Sequence, residues 1–258
     1  MRAGWRPERR NRKIGTADFG WRKQNRMVVP NSWHDEFTFY ERLGRHTATE
    51  MALLGQPVTF LVEPARPGST YGCSARDILH VLSQLPADDV AGLKLLVLRQ
   101  PTRKQELMNG VWGRCVFDAR FGRRKGPGIM LESIDQLGRY RWSGKLNLHD
   151  RAELTRLAED GHQIIRQRRG TTIKMTERSV RNTILFRTLL HEVGHWVDWK
   201  QRVLDVKAAP HDPDRKILET AYFARAHFER EQFAHTYAEQ HAVRMRASGA
   251  IPFETFGW

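Results

Sequence analysis

The sequence predicts an α+β domain: a small mixed β-sheet backed by helices, followed by a helical C-terminal subdomain. Three observations lead there. Short β-rich segments bounded by Gly, Pro or charges recur from residue 57 to 146, with one more at 171–175. Two helical stretches interrupt them, and beyond residue 176 apolar residues recur at helical spacing. The 258 residues, 40% hydrophobic and 28% charged, suffice for one globular core.

Residues 1–26 form a basic, flexible arm ahead of a single domain spanning 27–258, β-rich to about 175 and helical from 176. The arm holds nine Arg and Lys against Glu8 and Asp18, a net +7, half of the chain's +14. Such a segment repels itself and stays extended. It suits nucleic acid, an acidic partner or an anionic membrane surface, and equally a solvated tail. Beyond it, Trp33, Phe37, Phe39, Tyr40, Leu43, Met51, Leu53 and Leu54 are expected to pack on the body.

Pro57–Val62, bounded by Gly55 and Pro64, reads as a strand, and 64–72 as a loop. Ser74 caps a helix to Leu85, with Asp77 three residues on and Ile78, Leu79, Leu82 and Leu85 as its stripe. Strands are expected at Leu93–Leu98, Gly113–Asp118, Gly128–Ile134 and Tyr140–Leu146, with Arg120–Pro127 as a basic turn. His149–Arg168 reads as a helix capped by Asp150 that buries Leu154, Leu157, Ile164 and Ile165, with Gly161 bending or splitting it. After a strand at Thr171–Met175, Thr176 or Ser179 caps a long helix to about Gln201. Pro210 and Pro213 break the chain, and helices follow at about 214–227 and 228–248.

The longest apolar runs, such as Leu95–Leu98, are too short to span a bilayer, and no apolar stretch follows the N-terminal basic residues. The expectation is synthesis in the cytoplasm, with residence there or export by a route that needs no signal peptide. Cys73 and Cys115 are too few for a disulfide framework, and neither stands in a Cys-x-x-Cys pair.

The chemistry concentrates at His191-Glu192-Val193-Gly194-His195. Residues four apart on a helix share a face, so both imidazoles can reach one zinc ion at about 2.0–2.1 Å. Glu192, one residue round the helix, stays beside the metal without binding it and can take a proton from water that zinc has acidified. Leu189, Leu190 and Val193 make the surroundings apolar. Gly194 costs a helix about 1 kcal/mol against Ala, which a close approach by another element would justify. A third protein ligand is needed, with an open fourth position. Glu231, 36 residues after His195, and His235 and Glu239, each four further on, can share one helix face; His227 and Glu229 are further options.

His191–Asp198 together with Glu231-Gln232-Phe233-Ala234-His235-Thr236-Tyr237 resembles the gluzincin branch of zinc peptidases, in particular the catalytic domains of the anthrax lethal factor and Pro-Pro endopeptidase type. The resemblance covers roughly residues 176–240 and implies a zincin-like fold with His191 and His195 on an active-site helix. It places the third zinc ligand on Glu231. The family's oxyanion-stabilising tyrosine falls at Ala224 here, so that role passes to Tyr222, two residues away. Asp198, on the face of the two histidines, is a candidate for orienting a ligand from behind. The resemblance also implies a peptide or protein substrate bound antiparallel to an edge strand. Gly128–Ile134 and Tyr140–Leu146 are the candidates for that edge, with the Arg120–Lys125 turn near the cleft favouring acidic residues.

Three functions therefore compete. The first is zinc-dependent peptide hydrolysis with Glu192 as general base. The second is nucleic-acid binding through the arm, with a structural or vestigial metal site. The third is an exported toxin or effector that carries a protease domain. Peptide deformylase shares the histidine motif but uses a cysteine ligand, and Cys115, 76 residues before His191, lacks the surrounding glycines.

Overall fold

A computed structural model describes residues 40–257 except 104, 107–110, 136–139, 143–144, 169 and 207–212. The basic arm, Trp33, Phe37, Phe39 and the Pro210–Asp212 loop lie outside the described residues. The chain separates into two units, Met1–Arg42 and Leu43–Trp258, and the architecture below is that of the second.

Thr47–Leu53 (β1) turns back into Gln56–Val62 (β2) through Leu54 and Gly55, both at positive φ, as a two-residue hairpin requires. Ser69–Thr70 (β3) leads to the helix Ala75–Ser83 (α1), and the short Ala87–Val90 (α2) to Leu95–Arg99 (β4). Gly113–Phe121 (β5) and Arg124–Glu132 (β6) form a second hairpin, and Ile134–Asp135 (β7) pairs with β3. The main sheet runs β1-β2-β4-β6-β5. Its middle three strands are mutually parallel and each outer strand is antiparallel to its neighbour, so the sheet is mixed. Every residue of the central β4 is buried, as expected of a strand with neighbours on both sides and cover on its faces.

The basic segment Arg120–Pro127 is mostly strand, not turn. Only Gly122, at φ +61°, and Arg123 lie outside the two strands. Pro127 made this stretch look irregular. The register shift between Val116 and Ala119 falls opposite it, so a bulge in β5 absorbs the ladder bond that proline cannot donate.

Tyr140–Trp142 (β8), Gln163–Gln167 (β9) and Gly170–Lys174 (β10) form a second sheet in the order β8-β10-β9. The helix expected over His149–Arg168 is shorter, Leu148–Glu159 (α3), and its cap is Asn147 with Asp150 completing the box. Gly161, at φ +94°, stops it. Its N–H reaches Ala158 O and that of His162 reaches Leu157 O, the double closure of a left-handed C-cap. Ile164 and Ile165 therefore belong to β9.

The C-terminal part is helical. Thr176 caps Glu177–Thr183 (α4), with Ser179 returning the bond. The rod continues through a π-helical turn, Ile184–Thr188, into Leu189–Trp199 (α5) and a second π-helical turn, Lys200–Leu204. Pro213–Ala224 (α6) and His227–Ala247 (α7) complete it. α5 lies against β5 and β6 on one side and α7 on the other, and α1 packs on the first π turn. Leu96, Leu98, Ile129, Leu185, Leu189, Val193 and Trp196 join these layers in one core. No helix among the described residues is long and apolar enough to cross a membrane.

The predicted Ser74/Asp77 capping box is present and does more than cap. Asp77 is fully buried and accepts from Ser74 N (2.8 Å), Phe256 N (2.9 Å) and Arg181 Nη1 (2.7 Å). Burial alone would raise its pKa, but these donors, Arg181 foremost, hold it below the usual carboxylate range. Asp77→Ala leaves the half-buried Arg181 without its carboxylate partner. We expect a loss of about 3–5 kcal/mol in urea unfolding at neutral pH, and a loss under 1 kcal/mol would refute this account.

Candidate metal centre

His191 and His195 project from the same face of α5, whose opposite side carries the buried Leu189, Val193 and Trp196. Their Nε2 atoms stand 3.1 Å apart, with the rings nearly perpendicular at 86°. Glu231, in the second turn of α7, reaches back between them. Its Oε2 lies 3.4 Å from His191 Nε2 and its Oε1 3.5 Å from His195 Nε2. Donors about 2.0–2.1 Å from a tetrahedral zinc stand roughly 3.3–3.4 Å apart; each imidazole meets a different Glu231 oxygen at close to that distance, and the two imidazole nitrogens are slightly closer than it. The donor set, two imidazoles and a carboxylate, is also the right chemistry for zinc.

Gly194 makes the approach of α7 possible. A Cβ there would stand 2.9 Å from Ala234 Cα and 3.1 Å from both Ala234 O and Tyr237 Cβ. The small residue thus admits a helix backbone, and three residues before that contact the same helix delivers Glu231.

The electrostatics favour ligation. Burial, with His191 adding to it, lowers the His195 pKa to about 4. Glu231 is held at about 2: burial opposes ionisation, but the hydrogen bond from His191 and the neighbouring imidazoles outweigh it. At neutral pH His195 offers a lone pair and Glu231 a negative charge, the forms a cation binds. Glu192 is buried at 7% exposure. Burial first, then the Glu231 charge, raise its pKa to about 7, against His191 and the backbone N–H of Cys115. It can therefore both take and return a proton near neutral pH.

The Cys115 contact shows which strand borders the site. Of the two segments expected at the edge, Gly128–Ile134 is mainly β6, enclosed between β4 and β5, and Tyr140–Leu146 contributes β8 to the other sheet. The outer strand beside α5 is β5. Gly113 lets it close in, since a Cβ there would meet Thr188 Cγ2 at 2.7 Å and Glu192 Cγ at 3.2 Å. The Gly122–Arg123 tip lies seven to eight residues beyond Cys115, roughly 20–25 Å along a strand, so it is remote from Glu192 and not beside the cleft.

Asp198 and Tyr222 take other places than expected. Asp198 is fully buried and accepts from Arg202 Nε (2.6 Å) and Arg225 Nη1 (2.8 Å). It ties the end of α6 to α5 instead of bonding either histidine. Tyr222 is buried against Phe117, with Asp198 beside it. Burial and the Asp198 charge push its pKa far up. Tyr237 donates to Asp89 Oδ2 at 2.8 Å.

Among the alternative ligands, Glu239 is exposed two turns beyond Glu231. His235 adjoins the cluster: its ring centroid is 4.4 Å from that of His191, and His191, Glu231 and His235 offer donor atoms within 4.8 Å of one another. His191, Glu231 and His235 are thus a second candidate set of three beside His191, His195 and Glu231. Burial and His191 lower the His235 pKa to about 4. His227 is 79% exposed in its side chain, and its Nε2 lies 3.5 Å from Glu231 Oε1. The contributions of Gly113 and Cys115 escaped sequence reasoning, because pairing order alone brings β5 to α5. Compared with known proteins, the chain matches no protein-family model, no curated protein and no solved structure.

Proposed function

We propose that the chain is a zinc-dependent peptidase in which His191, His195 and Glu231 hold the metal and Glu192 is the general base. The observation that carries this reading is the 3.1–3.5 Å spacing of the His191, His195 and Glu231 side chains, with the Glu192 carboxylate buried one residue away. When bound, zinc supplies Lewis acidity, polarising a carbonyl and acidifying water. Glu192 accepts a proton from the attacking water and passes it to the departing amine; the Cys115 N–H holds it in place. As the outer strand beside α5, β5 offers a peptide an antiparallel neighbour.

Metal analysis of purified protein should find about one zinc per chain, lost in His191→Ala and weakened at least tenfold in Glu231→Gln. A peptide-library assay should show cleavage by wild type and cleavage at least about 10²-fold slower by Glu192→Gln. Protein that carries no zinc after purification in its presence overturns the reading.

His235 favours a second reading, a structural zinc closed by four protein ligands. The two diverge in His235→Ala. A hydrolytic site keeps its zinc there, whereas a closed site loses affinity as sharply as it does in His191→Ala.

A further inference from the structure

Among the described residues, Arg230 has no carboxylate of its own, unlike the arginines around it. Arg114 faces Glu132 at 3.6 Å, Arg187 bonds Glu153 at 3.0 Å, and Arg202 and Arg225 share Asp198 at 2.6 and 2.8 Å. Arg230 immediately precedes Glu231, yet among the described residues it forms no ion pair, and its buried Nε has no hydrogen-bond partner. Glu229, just before it in the chain, turns to Arg225 at 3.5 Å instead. We propose that Arg230 is a specificity-determining residue that binds a side-chain carboxylate of the substrate, so that the site favours peptides with Asp or Glu on the N-terminal side of the bond that is cut. This specificity rests on the peptidase reading.

The position of the guanidinium is the first support. Its Cζ stands 5.7 Å from the centroid of the Tyr222 ring and 5.9 Å from that of Phe223. A guanidinium held against aromatic rings keeps N–H groups on its edge for a planar acceptor, which a carboxylate matches with two bonds. Tyr222 is buried and Phe223 is 54% exposed, so this platform reaches from the core to the surface. The charge is also felt at the metal centre. After burial and His191, Arg230 helps to lower the His195 pKa, so its guanidinium stands within electrostatic reach of that imidazole.

The cost of leaving a cation unpaired is the second support. Arg230 is half-buried, and partial burial without a counter-charge disfavours an ion. A substrate carboxylate supplies that charge and gains a charge-assisted bond in return.

Strand β5 fixes the side of the cleaved bond. The Cys115 N–H holds Glu192, and Phe117, two residues further along, packs against Tyr222 at 5.9 Å and Phe223 at 6.1 Å. The aromatic platform of Arg230 is therefore displaced from Glu192 toward the C-terminal end of β5, by roughly 7 Å of strand. A peptide lying antiparallel to β5 passes Phe117 before it passes Cys115. The residue that meets Arg230 thus precedes the bond set against Glu192. A free C-terminal carboxylate always follows that bond, so the anion is a side chain.

The experiment measures kcat/KM on acetylated and amidated peptides built from the sequence that a library shows to be cleaved best. Asp or Asn is placed at each of the three positions before and after the cleaved bond. Wild type should prefer Asp to Asn at one of the preceding positions by about 10–100-fold, the worth of a hydrogen-bonded charge pair. In Arg230→Gln that ratio should fall at least fivefold. Both peptides are read on one preparation, so incomplete folding or zinc loading of the variant cancels in the ratio. Arg123→Gln, at the remote tip of the β5–β6 hairpin, should keep the wild-type ratio. A wild-type ratio under threefold before the bond, a preference found only after it, or a fall of less than fivefold in Arg230→Gln overturns the assignment. So does a ratio lost in Arg123→Gln, which would move recognition to the hairpin tip. Wild type that cleaves no library peptide overturns the peptidase reading and this specificity together, whereas wild type that cleaves without regard to acidic residues overturns the specificity alone.

Discussion

Glu192→Gln should lower peptide cleavage by about 10²–10⁴-fold while zinc content stays at wild-type level. Glutamine keeps the volume and can still accept the Cys115 N–H, so the packing of β5 on α5 is preserved. What is lost is the ability to take a proton. A second consequence follows for stability. Burial raises the Glu192 pKa from about 4.5 to about 7 in the metal-free protein, so the folded state holds that proton more tightly than the unfolded chain does. Below pH 4.5 the group is neutral in both states and contributes nothing. Between 4.5 and 7 stability falls as pH rises, and above 7 the full penalty, about 3 kcal/mol, is present. Metal-free Glu192→Gln should therefore be more stable than metal-free wild type at pH 8, with the advantage gone near pH 4. Urea unfolding of both proteins at the two pH values checks the sign. Equal stability at pH 8 would show that Glu192 is not buried as described. Bound zinc should offset the penalty in wild type, because a cation beside the carboxylate favours its charged form.

Gly194→Ala is the other large effect. Alanine is the better helix former by about 1 kcal/mol, so on an isolated helix the change would stabilise. Here the added methyl meets the Ala234 backbone at 2.9 Å, and no side-chain rotation relieves that contact. α7 must move away from α5, at about 1–3 kcal/mol of overpacking. Glu231, one turn before Ala234, moves with it and leaves the 3.4–3.5 Å spacing that suits the metal. We expect zinc affinity to drop about 10–100-fold, on the scale seen when the support of a ligand is disturbed. Chelator competition and unfolding, run side by side, decide it. A Gly194→Ala protein with wild-type affinity and higher stability would mean that α7 does not approach as closely as described.

The near neighbours in the chain were readable because their geometry is local. A helix places His191 and His195 on one face whatever it packs against, and the apolar stripe of Val180, Ile184, Leu185, Leu189 and Val193 made the helix evident. The Ser74 and Thr176 caps were readable for the same reason, since each box closes within four residues. Gly161 was seen as a weak point of its helix, but a left-handed cap and a bend look alike until the next strand finds its partner.

Contacts distant in sequence were another matter. Which carboxylate or imidazole on α7 meets α5 depends on how two helices cross, and the i, i+4 series of His227, Glu231, His235 and Glu239 offers four answers that periodicity cannot rank. The crossing at Gly194 brings Glu231 to both histidines, His227 and His235 to either flank, and leaves Glu239 in solvent. Strand order is equally nonlocal: β5 and β6 are a hairpin, and pairing of β6 with β4 leaves β5 as the outer strand beside Glu192. The surroundings of Tyr222 were not readable because its packing against Phe117 and its nearness to Asp198 join residues distant in sequence. By itself the sequence determined most of the helices, the Ser74 and Thr176 caps and two imidazoles a turn apart, all set by bonds within a few residues. Tertiary structure decided which α7 side chains stand near the two imidazoles, the bordering strand and the place of each tyrosine, because those follow from how the core packs across large separations in the chain.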